Sequence, residues 1–244
     1  MNLKNVFYKL QDFFLQRSLQ ESKMGSSIEG YCMMYHNITD EWTPDGVSCR
    51  CPVHVFEHYL DMYSELGFSF VSVDDVYQLL TKQGGNKYSR FCMLTFDDIP
   101  ENVFQNAYPI LKERRIPFTV FITTKFVDWI NPETGQQFIS AEHLLELDRD
   151  PLCTIGAHTM THPVLRNVTN SFKELQGNKE WLESLLGHPV EYLAYPYGKH
   201  SSVSKKIQLE AQKAGFKLAF GTIEAPITDK SAKYLFYLPR VVNN

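Results

Sequence analysis

From residue 29 onward, short apolar runs rich in aromatic and β-branched residues alternate with longer stretches whose apolar positions recur every three or four residues. The period-two or fully apolar runs over residues 31–36, 68–73, 90–96, 118–123, 153–157, 191–195, 218–222 and 235–238 predict strands. The intervening segments over residues 54–66, 73–81, 103–114, 141–147, 172–186 and 202–214 predict helices. Strand and helix in strict alternation, with short connections and strands apolar on both faces, point to an α/β fold around a mostly parallel sheet. A closed barrel is the preferred form and an open, doubly wound sheet the alternative. In a barrel of this kind, chemistry sits on the loops that leave the C-terminal ends of the strands.

Ahead of this pattern, Leu3, Val6, Phe7, Leu10, Phe13, Phe14 and Leu15 recur at helical spacing over residues 3–19. They predict an amphipathic N-terminal helix, and the chain divides into an extension over residues 1–27 and a single barrel domain over residues 28–244. The polar face of that helix carries few positive charges, which favours packing against protein, while peripheral membrane contact through residues 3–19 remains an alternative. No apolar run in residues 1–27 is long enough for a signal-peptide core, so the expected location is cytoplasmic, including the inner face of the membrane.

Composition changes the picture only by exclusion. Hydrophobic residues make up 43% and charged residues 21% of the 244, ordinary globular usage. A net charge of −4 without any Lys/Arg-rich run argues against a nucleic-acid partner. The five cysteines are an odd number, which fits free thiols in a reducing compartment, and the Cys49-Arg50-Cys51 spacing is too tight for a zinc pair. Nothing in the sequence fixes an oligomeric state.

The chemistry lies at two strand ends. Asp97 and Asp98 follow an apolar strand side by side, an arrangement in which like charges raise each other's pKa unless a cation intervenes. A divalent metal meets that need: Asp98 ligates it and Asp97 stands beside it as a base. The plainer alternative is that one Asp caps the helix beginning near Glu101. His158 and His162 stand four residues apart just past another strand, with Pro163 stopping a helix. One carboxylate and two imidazoles, with positions left open, make a hydrolytic site or one of the Fe(II) type. The expected cofactor is one divalent metal, zinc ahead of nickel, cobalt or iron.

Taken in order, Tyr35-His36, Thr95-Phe96-Asp97-Asp98, Pro117 to Phe121, His158 to His162, Tyr195-Pro196-Tyr197-Gly198 and Leu238-Pro239-Arg240 resemble the motifs of the polysaccharide deacetylases of carbohydrate esterase family 4. The resemblance runs from about Glu29 to Arg240. It implies a distorted (β/α)7-type barrel and a zinc-like metal. It also implies that Asp97 is the base, that Asp98, His158 and His162 are the ligands, and that a backbone N–H near Tyr197 supports the oxyanion of an amide under attack. The expected substrate is an N-acetylated amino sugar, in a glycan or a biosynthetic intermediate of one.

This chain departs from the family pattern in several places. Ala194 stands where many members have Arg, and Leu238-Pro239-Arg240 stands where a late Leu-x-His is usual. Ile99-Pro100 replaces a Gly after the Asp pair, and the family's tryptophan-bearing fourth motif is absent after Phe220. The expectation is that Arg240 supplies the missing positive charge and pairs with Asp97, while His36 serves as the acid. The first and last strands of a closed barrel are neighbours, which makes the exchange feasible.

Two rival readings stand beside this one. His54-Val55-Phe56-Glu57-His58 spells the inverted zinc-peptidase motif, but His54, Glu57 and His58 share a polar helix face with Asp61 and Glu65. A catalytically inactive barrel that binds sugar or a partner protein is the other. Trp129 and Tyr197 are candidates for stacking on sugar rings, ahead of Trp42, and Trp181 falls on a core stripe. His143, His188 and His200 are expected at the surface without partners.

Overall fold

Polar side chains set the helix starts. Ser72 and Asp75 close a capping box, and Ser140, Asn170 and Ser204 each accept a backbone N–H from the first turn that follows. The computed structural model describes residues 27–40, 49–83 and 87–242. The expected helix over residues 3–19, Trp42 and the Gly84-Gly85-Asn86 tip lie outside the described residues.

Along the chain come β1 (Glu29–Tyr35), β2 (Asn37–Ile38), β3 (Arg50–Cys51), α1 (Val53–Glu65), β4 (Ser69–Phe70), α2 (Val73–Thr81) and β5 (Arg90–Asp97). A π-helical turn, Val103–Ala107, then runs into α3 (Tyr108–Glu113). They are followed by β6 (Phe118–Ile122), α4 (Ala141–Arg149), β7 (Cys153–Ala157), α5 (Ser171–Leu186), β8 (Tyr192–Ala194), α6 (Lys205–Lys213), β9 (Leu218–Phe220) and β10 (Val241–Val242).

The main sheet is ordered β10-β1-β5-β6-β7-β8-β9, and every pair in it is parallel; β4 also pairs with β5. Helices separate the strands in sequence, so β1 is buried along its whole length and β5 from Phe91 onward, as parallel sheets covered on both faces require. The last segment joins both ends of this sheet. On one side β10 pairs with β1, Met33 facing Val241; on the other, the Leu238 N–H donates to Ala219 O at 2.9 Å and the Gly221 N–H to Leu238 O at 2.8 Å. The α/β barrel expected from the sequence is therefore the fold, with first and last strands adjacent.

The expected strand at 235–238 is a correction. Only Leu238 forms a bridge there and the paired strand begins at Val241, because Pro239 has no N–H to give to a ladder. The expected strand at 68–73 shortens to Ser69–Phe70, because Ser72 already caps α2. The β2–β3 pair, two residues on each side, was not expected at all. Among the described residues no helix is long and apolar enough to cross a membrane.

Candidate active site

Four strand ends of the barrel deliver polar side chains to one cavity of about 330 Å³, lined among others by His36, Asp97, Asp98, His158, His162 and Tyr197. Asp97 ends β5, His158 follows β7, His36 follows β1, and Tyr197 lies just beyond β8. The backbone is bent hard at the same places. Asp98, Ile99, Thr159, His162 and Tyr197 all have positive φ, between 46° and 72°. Left-handed backbone outside glycine costs on the order of 1–3 kcal/mol per residue and persists only where the surroundings enforce it. Here they do: the Ile99 N–H donates to Asp97 O at 2.7 Å, Ile99 O accepts from Ile139 at 3.0 Å, and the Ile99 side chain is fully buried. Ile99 thus holds by packing the turn for which a Gly needs no such support.

Asp98 Oδ1 lies 3.4 Å from His162 Nε2 and 3.8 Å from His158 Nε2, and one donor atom from each of the three falls within 4.8 Å of the others. Ligand atoms bound at about 2.0–2.1 Å around a tetrahedral ion stand roughly 3.3 Å apart, so this spacing fits a first-row divalent metal. The individual atoms agree with that fit. His158 Nδ1 sits 2.7 Å from Ala194 O, which only accepts, so Nδ1 carries the proton and Nε2 presents a lone pair. Burial lowers the His158 pKa to about 4, against the opposing pull of Asp97 and Asp98, so the ring is neutral at pH 7, as a ligand must be. Asp98 Oδ1 is buried with no hydrogen-bond partner among the described residues. An uncompensated buried carboxylate oxygen is costly, and a cation relieves it. Neither aspartate accepts a backbone N–H from the helix that follows, so the capping alternative does not hold among the described residues.

Asp97 is bound differently. Its two oxygens accept from Arg240 Nη1 at 2.6 Å and Nη2 at 2.7 Å, and both residues are buried. Burial alone pushes this carboxyl up, but the Arg240 charge and hydrogen bonds outweigh it and hold Asp97 well below the usual carboxylate range. Arg240 also donates from Nε to Gly221 O at 3.0 Å. The guanidinium is thus held against both oxygens of Asp97 from one side and the Gly221 carbonyl from the other. Burial works against a proton on His36, yet the Cys49 side chain and the charges of Asp97 and Asp98 raise its pKa above the ordinary value.

Tyr197 and Gly198 continue the bent backbone, with φ of 61° and 58°. A Cβ at Gly198 would stand 2.6 Å from Thr222 N, so only glycine fits the close approach of these two loops. The Tyr197 N–H has no partner among the described residues, and its ring, 55% exposed, lies 5.1 Å from that of His162. Trp129 stacks on Phe126, whose ring lies 5.8 Å from that of the same histidine, and meets Phe138 at a tilt, while Trp181 packs partly buried against the core.

Of the residues expected at the site, His36, Asp97, Asp98, His158, His162 and Tyr197 line this cavity, whereas Arg240 is fully buried and reaches it only through its hydrogen bonds to Asp97. Sequence reasoning missed Asn37, Cys49, Gln136 and Phe138, which line it too, because no motif marks any of them: Asn37 opens the two-residue strand β2 that was not expected, and the other three lie between the expected elements. His143 and His188 are corrections: His143 Nδ1 meets Glu101 under a ring stacked on Phe104, and His188 Nε2 lies 2.8 Å from Asp148.

Residues 84–219, more than half the chain, match the family model described as polysaccharide deacetylase. The chain belongs to the polysaccharide deacetylase family. A Staphylococcus aureus relative named poly-beta-1,6-N-acetyl-D-glucosamine N-deacetylase is 30% identical over 174 residues, which are 67% of this chain and 58% of that protein. This chain thus spans little more than half the length of that relative. Among solved structures, IcaB from Ammonifex degensii superposes with a TM-score of 0.78 over 90% of this chain and 93% of its own, at 22% identity. The Streptococcus pyogenes deacetylase PplD, solved with acetate, gives 0.76 over 89% and 93%, also at 22% identity. Both share the deacetylase barrel described above.

Proposed function

We propose that this polysaccharide deacetylase family member hydrolyses N-acetyl groups on the amino sugars of a glycan, with poly-N-acetylglucosamine as the first substrate to try. The reading is carried by one observation: the Asp98, His158 and His162 donor atoms cluster within 4.8 Å beside a buried, ionised Asp97, in a cavity a sugar can reach. A divalent metal held by those three residues supplies Lewis acidity toward the acetamide carbonyl and makes water more acidic.

The chain's own groups do the rest. Asp97, kept ionised by Arg240, accepts a proton from the attacking water; Arg240 takes two of a carboxylate's roughly four lone-pair directions and leaves others open. The Tyr197 N–H points a donor at the oxygen where negative charge grows. As the C–N bond breaks, the amine nitrogen needs a proton, and His36, whose pKa is raised, gives it. The products are the free amine and acetate.

Elemental analysis joined to an acetate-release assay on N-acetylglucosamine oligomers tests this. Wild type is expected to hold one metal and release acetate, and Asp97→Asn to keep the metal while losing release. Wild type holding metal without releasing acetate from any N-acetyl sugar sinks the reading. Unchanged turnover in metal-loaded His36→Ala removes His36 from it.

A further inference from the structure

Three side-chain amides, two of them lining the same cavity as Asp98, His158 and His162, form a chain whose direction is fixed by the backbone. The Ile38 N–H, which can only donate, gives its hydrogen to Asn102 Oδ1 at 2.9 Å. Asn102 therefore turns Nδ2 toward Asn37, where it donates to Oδ1 at 2.9 Å. The same Asn37 oxygen accepts from Gln136 Nε2 at 2.8 Å. Ordinarily the oxygen and nitrogen of an amide are interchangeable by a flip. Here a single backbone N–H sets all three, since flipping any one puts donor against donor or acceptor against acceptor.

The consequence falls on the two members that line the cavity, Asn37 and Gln136. With Oδ1 taken twice, Asn37 keeps its Nδ2 hydrogens, and Gln136 keeps its Oε1; neither group has a partner among the described residues. Asn37 immediately follows His36. Gln136 stands on a turn built to hold it: the Asn131 N–H donates to Gln136 O at 2.8 Å, and Asn131 Oδ1 accepts the Glu133 N–H at 2.9 Å. Beside this turn, Phe138 lines the same cavity and makes tilted ring contacts with Phe126 and Trp129.

We propose that Asn37 and Gln136 form a sugar-recognition subsite, Asn37 Nδ2 donating to and Gln136 Oε1 accepting from hydroxyl or acetamido groups of the ring next to the metal cluster, with Phe138 as its apolar floor. A fixed donor beside a fixed acceptor suits a hydroxyl, which is both, and suits a polyol ring over a simple acyl group. This rests on the deacetylase reading for the substrate class, and the amide pair adds selection for the sugar.

The test uses the zinc-loaded protein with two probes, an N-acetylglucosamine tetramer and 4-methylumbelliferyl acetate, an ester without ring hydroxyls. The variants are Gln136→Ala and Asn37→Asp. Asn37→Asp keeps an oxygen for Asn102 and Gln136 to donate to while replacing the Nδ2 donor by a carboxylate oxygen; the added charge acts on turnover of both probes, so the ratio between them separates recognition from scaffolding. In each variant the ratio of tetramer to ester turnover, as kcat/KM, is expected to fall roughly tenfold, the size of one lost hydrogen bond, and tetramer affinity by calorimetry to fall with it. Parallel loss of both activities, or no change in the ratio, overturns the subsite. If wild type binds the tetramer without releasing acetate and the variants bind it less, the subsite stands and the deacetylase reading falls. If wild type neither binds nor cleaves the tetramer, both fall.

Discussion

His54 and His58 have the same four-residue spacing as His158 and His162, and the two pairs end up in opposite circumstances. The first pair lies on α1, where i and i+4 side chains point the same way by helix geometry alone. For His54 that direction is outward, its side chain 61% exposed and 3.4 Å from an equally exposed Asp40; Glu57 between the histidines leans on Arg114, and His58 is half-buried. The second pair lies on a loop, where spacing by itself guarantees nothing. Positive φ at Thr159 and His162 folds that loop back so that the two rings meet, centroids 5.0 Å apart, over Asp98. A ligand set is therefore marked less by how far apart its histidines are than by a strained backbone that turns them onto a third donor.

The comparison breaks most sharply on metal content. Changing a residue that merely orients a ligand costs about 10–100-fold in metal affinity, and removing a ligand costs more. His158→Ala is accordingly expected to lose more than roughly 100-fold in zinc affinity and with it acetate release, whereas the double substitution His54→Asn/His58→Asn keeps one metal per chain by elemental analysis. Metal lost from the double variant and retained in His158→Ala would reverse the assignment in favour of the peptidase-like motif.

How much of this was legible in the sequence follows from the length of each signal. β1, β5, β6 and β7 were readable because a parallel strand buried on both faces must be apolar throughout, and their ends located Asp97, Asp98, His158 and His162. The Asp97–Arg240 pair was readable because Ala194 left a carboxylate without its usual cation and a buried charge needs one. β10 was misplaced by a few residues because Pro239 interrupts the ladder inside an otherwise apolar run. The amide chain of Asn37, Asn102 and Gln136 was invisible: its members lie 65 and 99 positions apart and each is an ordinary loop residue in sequence. Residues 3–19 fall outside the described residues, and their helical pattern stays an expectation.

Next in size is the buried ion pair, which has no counterpart on α1. Arg240→Met leaves the buried Asp97 carboxylate without its guanidinium partner, and breaking one partner of a buried pair costs about 3–5 kcal/mol. Urea unfolding of the metal-free protein should show that loss, and Asp97→Asn/Arg240→Met should recover part of it, since no uncompensated charge remains. A single Arg240→Met variant as stable as wild type would mean that the pair is solvated.

A gentler probe is acid. In the metal-free protein His158 titrates near 4 when folded and near 6.5 when unfolded, so between those values the unfolded chain holds a proton that the folded chain refuses. Stability from this group is complete above about pH 6.5, drains as pH falls, and is gone near pH 4, a total of about 3 kcal/mol. His36 is shifted the other way and opposes the trend, so the informative quantity is the difference in slope between wild type and His158→Gln over that window. The slope is expected to be shallower in the variant; equal slopes would mean that His158 is not buried as a neutral ring.

The smallest effect belongs to the exposed pair. A solvent-facing His–Asp contact contributes between nothing and about 1 kcal/mol, because water screens it and two side chains must be held still to make it. His54→Asn is therefore expected to shift the unfolding free energy by at most about 1 kcal/mol. A larger loss would show that α1 uses this ring for packing, and the contrast between the two pairs would then lie in what each ring touches, core on one side and cation on the other. A shift inside that bound leaves identical spacing with unequal consequence, which is the outcome expected when backbone conformation, and not sequence interval, decides where an imidazole points.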